Sequence, residues 1–409
     1  MPGTPGSNFH GFYFQFGRMD ECVSRLLWSA SLYGHIVGLS NFEFDWRKGR
    51  VYTTSRSTLL AILANVLVVV LLVVYYTFRT DLTVNFASAT KLHEYVFIVM
   101  TGLRVLAGVL TIINRWRQRR QMMHLVRCVI RVYRAKPQVK RMVRWSILLK
   151  IFIGVSTNSL QFALAAHSSL YVGPVQLMGM VLQFMTTALM NLAVSQYYLI
   201  MLVVRANYLL LNKELRAIID ECKHLSYHSR RNGVFMTKCC FLADQLDNIA
   251  RIQSDLNSIV TQIQEVFGLQ GLMVYTGYYI TSIGVNYFLF SMYKYEGTNI
   301  RVTYITRTLA FSWMALYYVD ALINLAIVLQ VQGDEEKMNR LLAERTLFAP
   351  GLDVRLEESF ENMQIQLVRN PLKMYVMKLF PSNRGGTTAM LSSLFMNSIY
   401  LIQYDMANF

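Results

Sequence analysis

Acidic residues are missing where basic ones crowd. Between Arg115 and Arg144 stand eleven Lys and Arg and not one Asp or Glu. Charge is scarce throughout: 16% of the 409 residues are charged and 54% are hydrophobic. A soluble chain of this length needs more polar surface, so composition excludes that class and points to a polytopic membrane protein. The net charge of +16 does not imply nucleic acid, because the bases lie between apolar runs, where they set topology. A cleavable signal peptide is lacking, since the first apolar run begins near Ser57. No Asn-x-Ser/Thr sequon occurs, and neither does HExxH, GxSxG, a P-loop or GxGxxG. Cys239 and Cys240 are adjacent, which is not zinc-ligand spacing, and only His224 and His228 of the seven His stand four apart. These absences argue against an enzyme, a metal site and a cofactor. No internal repeat or low-complexity tract is present, and residues 1–10 are expected to be disordered.

Seven apolar runs reach the roughly 20 residues that cross a bilayer. They are Ser57–Phe78, Leu92–Ile113, Trp145–Ala166, Val175–Val204, Phe267–Phe290, Tyr304–Val331 and Thr387–Tyr404. The short basic loop 114–144 belongs inside. Counting back two spans puts the N-terminus in the cytoplasm, and an odd number of spans puts the C-terminus outside. The inner segments 1–56, 114–144, 205–266 and 332–386 then hold 33 of the 40 Lys and Arg, against four (Arg79, Lys91, Lys294, Arg301) in outer loops. All five cysteines fall in inner segments, where they stay reduced. The expected fold is all-α: spans one to four over 57–204, spans five and six over 267–331, a last span over 387–404, and a tail at 405–409.

The inner segments carry helical stripes. Leu242, Leu246, Ile249, Leu256, Val260 and Ile263 recur at steps of three, four or seven, with Asp244, Asp247, Arg251 and Asp255 on other faces. Residues 209–219 extend the fourth span inward. The stretch 354–380 is also amphipathic, and Pro371 should kink or break it. Such stripes serve either a bundle within one chain or an oligomerisation domain in which helices of several subunits pack.

The last span ends Met396-Asn397-Ser398-Ile399-Tyr400-Leu401-Ile402-Gln403-Tyr404. Together with the topology, it resembles the insect gustatory receptors, whose signature there is Thr-Tyr, about five hydrophobic residues, then Gln-Phe. Gln403 matches and Tyr404 replaces the Phe; Met396-Asn397 departs from Thr-Tyr. The resemblance covers the whole chain in architecture. It implies a tetrameric, ligand-gated, non-selective cation channel of sensory neurons, with permeant cations, membrane lipid, a small-molecule tastant and related subunits as partners. The competing classes are a secondary transporter, against which the missing repeat speaks, and a G-protein-coupled receptor, whose N-terminus would lie outside.

The last span is too polar for lipid on every side. Helical stepping from Gln403 reaches Ile399, Met396 and Ser392, a face suited to a pore. Candidate ligand residues are Asn158, Gln161, Gln183, Tyr279, Asn286, Trp313 and Tyr317, because bundle pockets combine aromatics with a few polar groups. The resemblance implies that such a pocket lies among spans two to six. Sparse polar clustering favours aromatic or amphipathic compounds, such as bitter plant molecules, over sugars. Two charges sit deep in spans: Arg104 about 18 Å into the second and Asp320 about 24 Å into the sixth. Each either faces an aqueous cavity or pairs with backbone and polar side chains, or the two pair with each other.

Overall fold

The computed structural model describes residues 23, 25–45, 50–77, 91–169, 174–226, 233–294, 304–344, 353–376, 380–381 and 383–408. The expectations for residues 1–10, for Cys22, and for Arg79 and Arg301 lie outside these. A helix at residues 25–36, α1, precedes the first span. It was not expected. It stops at Gly38, whose φ of 84° lies in the left-handed region. The Leu39 and Ser40 amides, each 3.0 Å from the Gly34 carbonyl, close the helix end. A Cβ at Gly38 would come within 2.8 Å of Ala64 and Asn65, so the turn both needs glycine and brings α1 against the next helix.

A short antiparallel ladder follows, β1 (Glu43–Asp45) with β2 (Arg50–Tyr52), pairing Phe44 with Val51. Thr54 then caps α2 (Ser55–Thr77): its hydroxyl accepts the Ser57 amide at 3.1 Å. Next come α3 (Lys91–Arg117), α4 (Arg119–Ala135) and α5 (Pro137–Ser169). Lys136 is extended because Pro137 follows it, and Pro137 takes the first helical position. The long helices are α6 (Pro174–Ser226), α7 (Gly233–Lys294) and α8 (Tyr304–Ala343). After α9 (Val354–Arg369) and a small ladder of β3 (Tyr375–Val376) with β4 (Phe380–Pro381), α10 (Arg384–Asn408) ends the chain.

Helix α6 is the axis of the bundle, packed by α8, α5, α7, α3 and α2. It meets α3 closely: a Cβ at Gly108 would lie 3.0 Å from Thr186. Among the described residues, five helices, α2, α3, α5, α6 and α8, are long and apolar enough to cross a membrane. α7 and α10, which carry the expected fifth and seventh spans, fall short of that apolarity. Their Tyr, Ser and Asn side chains bond to one another. Helix α2 shows what lipid contact requires, with Leu59, Leu63, Val66, Val70 and Val73 all exposed.

The largest apolar core joins α4, α9 and the adjoining ends of α6, α7 and α8. Every member of the α7 stripe from Leu242 to Ile263 is at most 3% exposed in the single chain. Its partners are α4, α6 and α9. That corrects the oligomerisation reading of this stripe, which is used up inside the subunit. Helix α9 contributes Leu356, Phe360, Met363 and Leu367, and it ends at Arg369, just before Pro371. The strap after it is held by side chains. Asn257 and Gln264 of α7 donate to the carbonyls of Asn370 (2.8 Å) and Lys373 (2.7 Å), and the Leu372 amide donates to Glu335 of α8 at 2.7 Å.

Candidate ligand cavity and pore helix

Helices α3, α5, α6, α7 and α8 line a small, half-open cavity of about 70 Å³. Its aromatic wall comes from spacing: Trp313 and Tyr317 lie four apart on α8 and stack at 5.6 Å between centroids, with planes 23° apart. Tyr278 of α7 meets Tyr317 at 5.0 Å. Arg104 of α3 also lines the cavity, and its guanidinium carbon stands 6.0 Å from the Trp313 ring centroid. Asn191 of α6 lines it too and donates to Asn158 at 3.2 Å.

One turn further along α8, Asp320 bonds Lys150 of α5 at 2.5 Å and accepts from Asn324 at 2.9 Å. The ammonium also donates to Asn324 at 3.1 Å and stands 5.3 Å from the Tyr198 ring centroid. Lys150 is 2% exposed. Arg104 and Asp320 therefore do not form the mutual pair entertained above. Asp320 belongs to Lys150, and Arg104 belongs to the cavity.

Among the seven candidate ligand residues, Trp313 and Tyr317 line this cavity and Asn158 adjoins it through Asn191. Tyr279 and Asn286 lie on another face of α7, against α10. Tyr279 bonds Ser393 and Asn397, each at 2.7 Å, and Asn286 donates to Ser398 at 3.1 Å. Neither Gln161 nor Gln183 lines the cavity. Sequence reasoning passed over Tyr278 and Asn191 as cavity residues, while for Arg104 a cavity was one of the settings it entertained. Arg104 was the one legible signal, since a charge deep in a span marks a site.

Helix α10 rests on α7 by a narrow stripe. Leu394, Ser398 and Asp405 are buried, and at 3.6 residues per turn they lie within about 40° of one another around the helix. Ser392, Met396, Ile399 and Gln403 lie about 120–180° from the centre of that stripe by the same stepping, and all four are exposed. At the far end of the seam a buried network ties three helices. Tyr287 of α7 donates to Asp405 at 3.0 Å and contacts His93 of α3 at 3.2 Å, while Lys294 stands 3.6 Å from Asp405. His93 in turn bonds Ser291.

Residues 29–408 match the family described as 7tm Chemosensory receptor. The class is thus a multi-pass membrane receptor, not an enzyme. The chain is 46% identical to gustatory receptor 36b of Drosophila melanogaster over 391 residues, covering 96% of this chain and all of that relative. Gustatory receptor 36c of the same species is 47% identical over 95% of this chain and all of its own length. Accordingly, the chain belongs to the insect gustatory receptor family. Its fold is similar to that of the insect olfactory receptor OR5 from Machilis hrabei in complex with eugenol. The TM-score is 0.62 at 12% identity, covering 95% of this chain and 99% of that one.

Proposed function

We propose that the chain is a subunit of a tetrameric, ligand-gated cation channel in the plasma membrane of taste neurons. A small amphipathic tastant, of the bitter or otherwise aversive kind, occupies the cavity beside Trp313 and Tyr317. Cations pass along Ser392, Met396, Ile399 and Gln403, contributed by α10 of each subunit. One observation carries this reading: these four residues share the face of α10 opposite its seam with α7, and the single chain leaves that face uncovered. Its mixture of Ser, Gln and apolar side chains suits neither lipid nor a packed core, but it suits a symmetric constriction. The aromatic cavity supports a flat ligand, and the olfactory receptor of like fold is described with eugenol, an aromatic compound. Seven spans, with the N-terminus in the cytoplasm, agree with the basic loop at 114–144.

The test is calcium imaging and patch recording of cells expressing the full chain, alone and with related subunits, against a tastant panel. Trp313→Ala should raise the activating concentration and leave unitary conductance alone. Gln403→Ala should alter conductance, selectivity or basal current while surface expression persists. Unchanged conductance, selectivity and gating in Gln403→Ala would remove Gln403 from the pore.

A further inference from the structure

We propose that the cavity takes a flat ligand carrying a carboxylate, which docks on Arg104. This rests on the reading of the cavity as the ligand site. Arg104 lines it and makes no ion pair or side-chain hydrogen bond with any described residue. Its neighbours include the face of Trp313, 6.0 Å away, and the phenol of Tyr317, neither of which carries a counter-charge at neutral pH. A second donor there is also unmet, since the Trp313 indole N–H is buried with no acceptor in reach.

The lining offers neutral acceptors, such as the Tyr317 and Thr281 hydroxyls, but no anion to match the guanidinium. None of the lining residues is acidic. The nearby carboxylate, Asp320, is occupied by Lys150 and Asn324. The hydroxyls of Thr157 and Thr187 donate to their own helix carbonyls, each at 2.8 Å, and as neutral groups they cannot offset the charge. A cation at this depth persists only with compensation. A carboxylate matches a guanidinium by two parallel charge-assisted hydrogen bonds, and an ammonium ligand would be repelled. The stacked Trp313 and Tyr317 rings complement a planar body attached to that carboxylate.

The experiment measures ligand-induced thermal stabilisation of the purified full chain. The probes are benzoate, cinnamate, salicylate, the uncharged ester methyl benzoate, and benzylammonium. Benzoate should bind the wild type about tenfold or more tightly than its ester, the difference expected for hydrogen bonds to a charged group. Benzylammonium should not bind. Arg104→Gln should erase the preference for acid over ester, and Arg104→Lys should keep part of it. The comparison of acid with ester in the wild type needs no variant to fold. Equal binding of acid and ester, no stabilisation by any of the three carboxylates, or a preference surviving in Arg104→Gln would each overturn the proposal. If acid and ester bind equally and both weaken in Trp313→Ala, the carboxylate is overturned while the cavity stands as the ligand site. If Trp313→Ala changes no probe, the cavity reading itself fails.

Discussion

At the scale of single residues, buried charge decides more than charge count. Lys150 and Asp320 satisfy each other inside the bundle, with Asn324 and Tyr198 filling the remaining positions. Removing one partner leaves the other buried and alone. Asp320→Ala should therefore cost about 3–5 kcal/mol, read as a lower melting temperature of the solubilised receptor. The double change Lys150→Met with Asp320→Leu should recover most of that loss, because two well-packed apolar groups need no counter-charge. Thiols sort by the same rule. Cys239 is fully buried, and burial pushes its thiol pKa up, so at neutral pH it stays protonated and shielded. Cys240, next to it, is only partly buried. Maleimide labelling followed by peptide mass spectrometry should modify Cys240 well before Cys239.

Elements differ in what their stripes do. The stripe of α7 packs inside its own subunit, so its loss should unfold the subunit before it separates subunits. Leu256→Ala should cost about 2–5 kcal/mol, seen as reduced yield and melting temperature of the folded chain rather than as a clean shift from tetramer to monomer. Helix α10 is the opposite case. Its seam with α7 is thin, and much of its hold is polar: Tyr279 with Ser393 and Asn397, Asn286 with Ser398, and Tyr287 with Asp405. A helix held by few contacts shifts more easily than one sunk in a core. Tyr287→Phe removes a donor to a buried carboxylate, worth about 1–3 kcal/mol. That should move basal current and agonist sensitivity together in patch recordings, with surface expression retained. An unchanged concentration–response curve would show that this network only anchors the helix.

For the whole molecule, the two ends of the bundle obey different rules. At the end holding α4 and α9, helices close on a continuous apolar core, as in a soluble bundle. At the other end, apolar clusters are small and the exposed faces of α2 and α5 are rich in Leu, Val and Phe, as a lipid surround requires. Long helices join the two regimes: α6 has 53 residues and α7 has 62, each far more than a bilayer needs. Epitope tags at the two termini test the arrangement. In unpermeabilised cells the C-terminal tag should be stained and the N-terminal tag hidden.

The sequence by itself determined the five apolar helices α2, α3, α5, α6 and α8, the amphipathic stripes of α7 and α9, and the stop before Pro371. These depend on composition and on helical period, which are local properties. It also marked Arg104 and Asp320 as buried charges in need of partners. Tertiary structure alone decided who those partners are. Residue spacing gives depth in the membrane but not rotation about each helix axis, so Lys150 and Trp313 could not be assigned in advance. The same ignorance of rotation hid α7's division of labour, with Tyr278 turned to the cavity and its neighbour Tyr279 turned to α10. Successive helical residues diverge by about 100°, and only the packing of neighbouring helices chooses which of them faces a ligand.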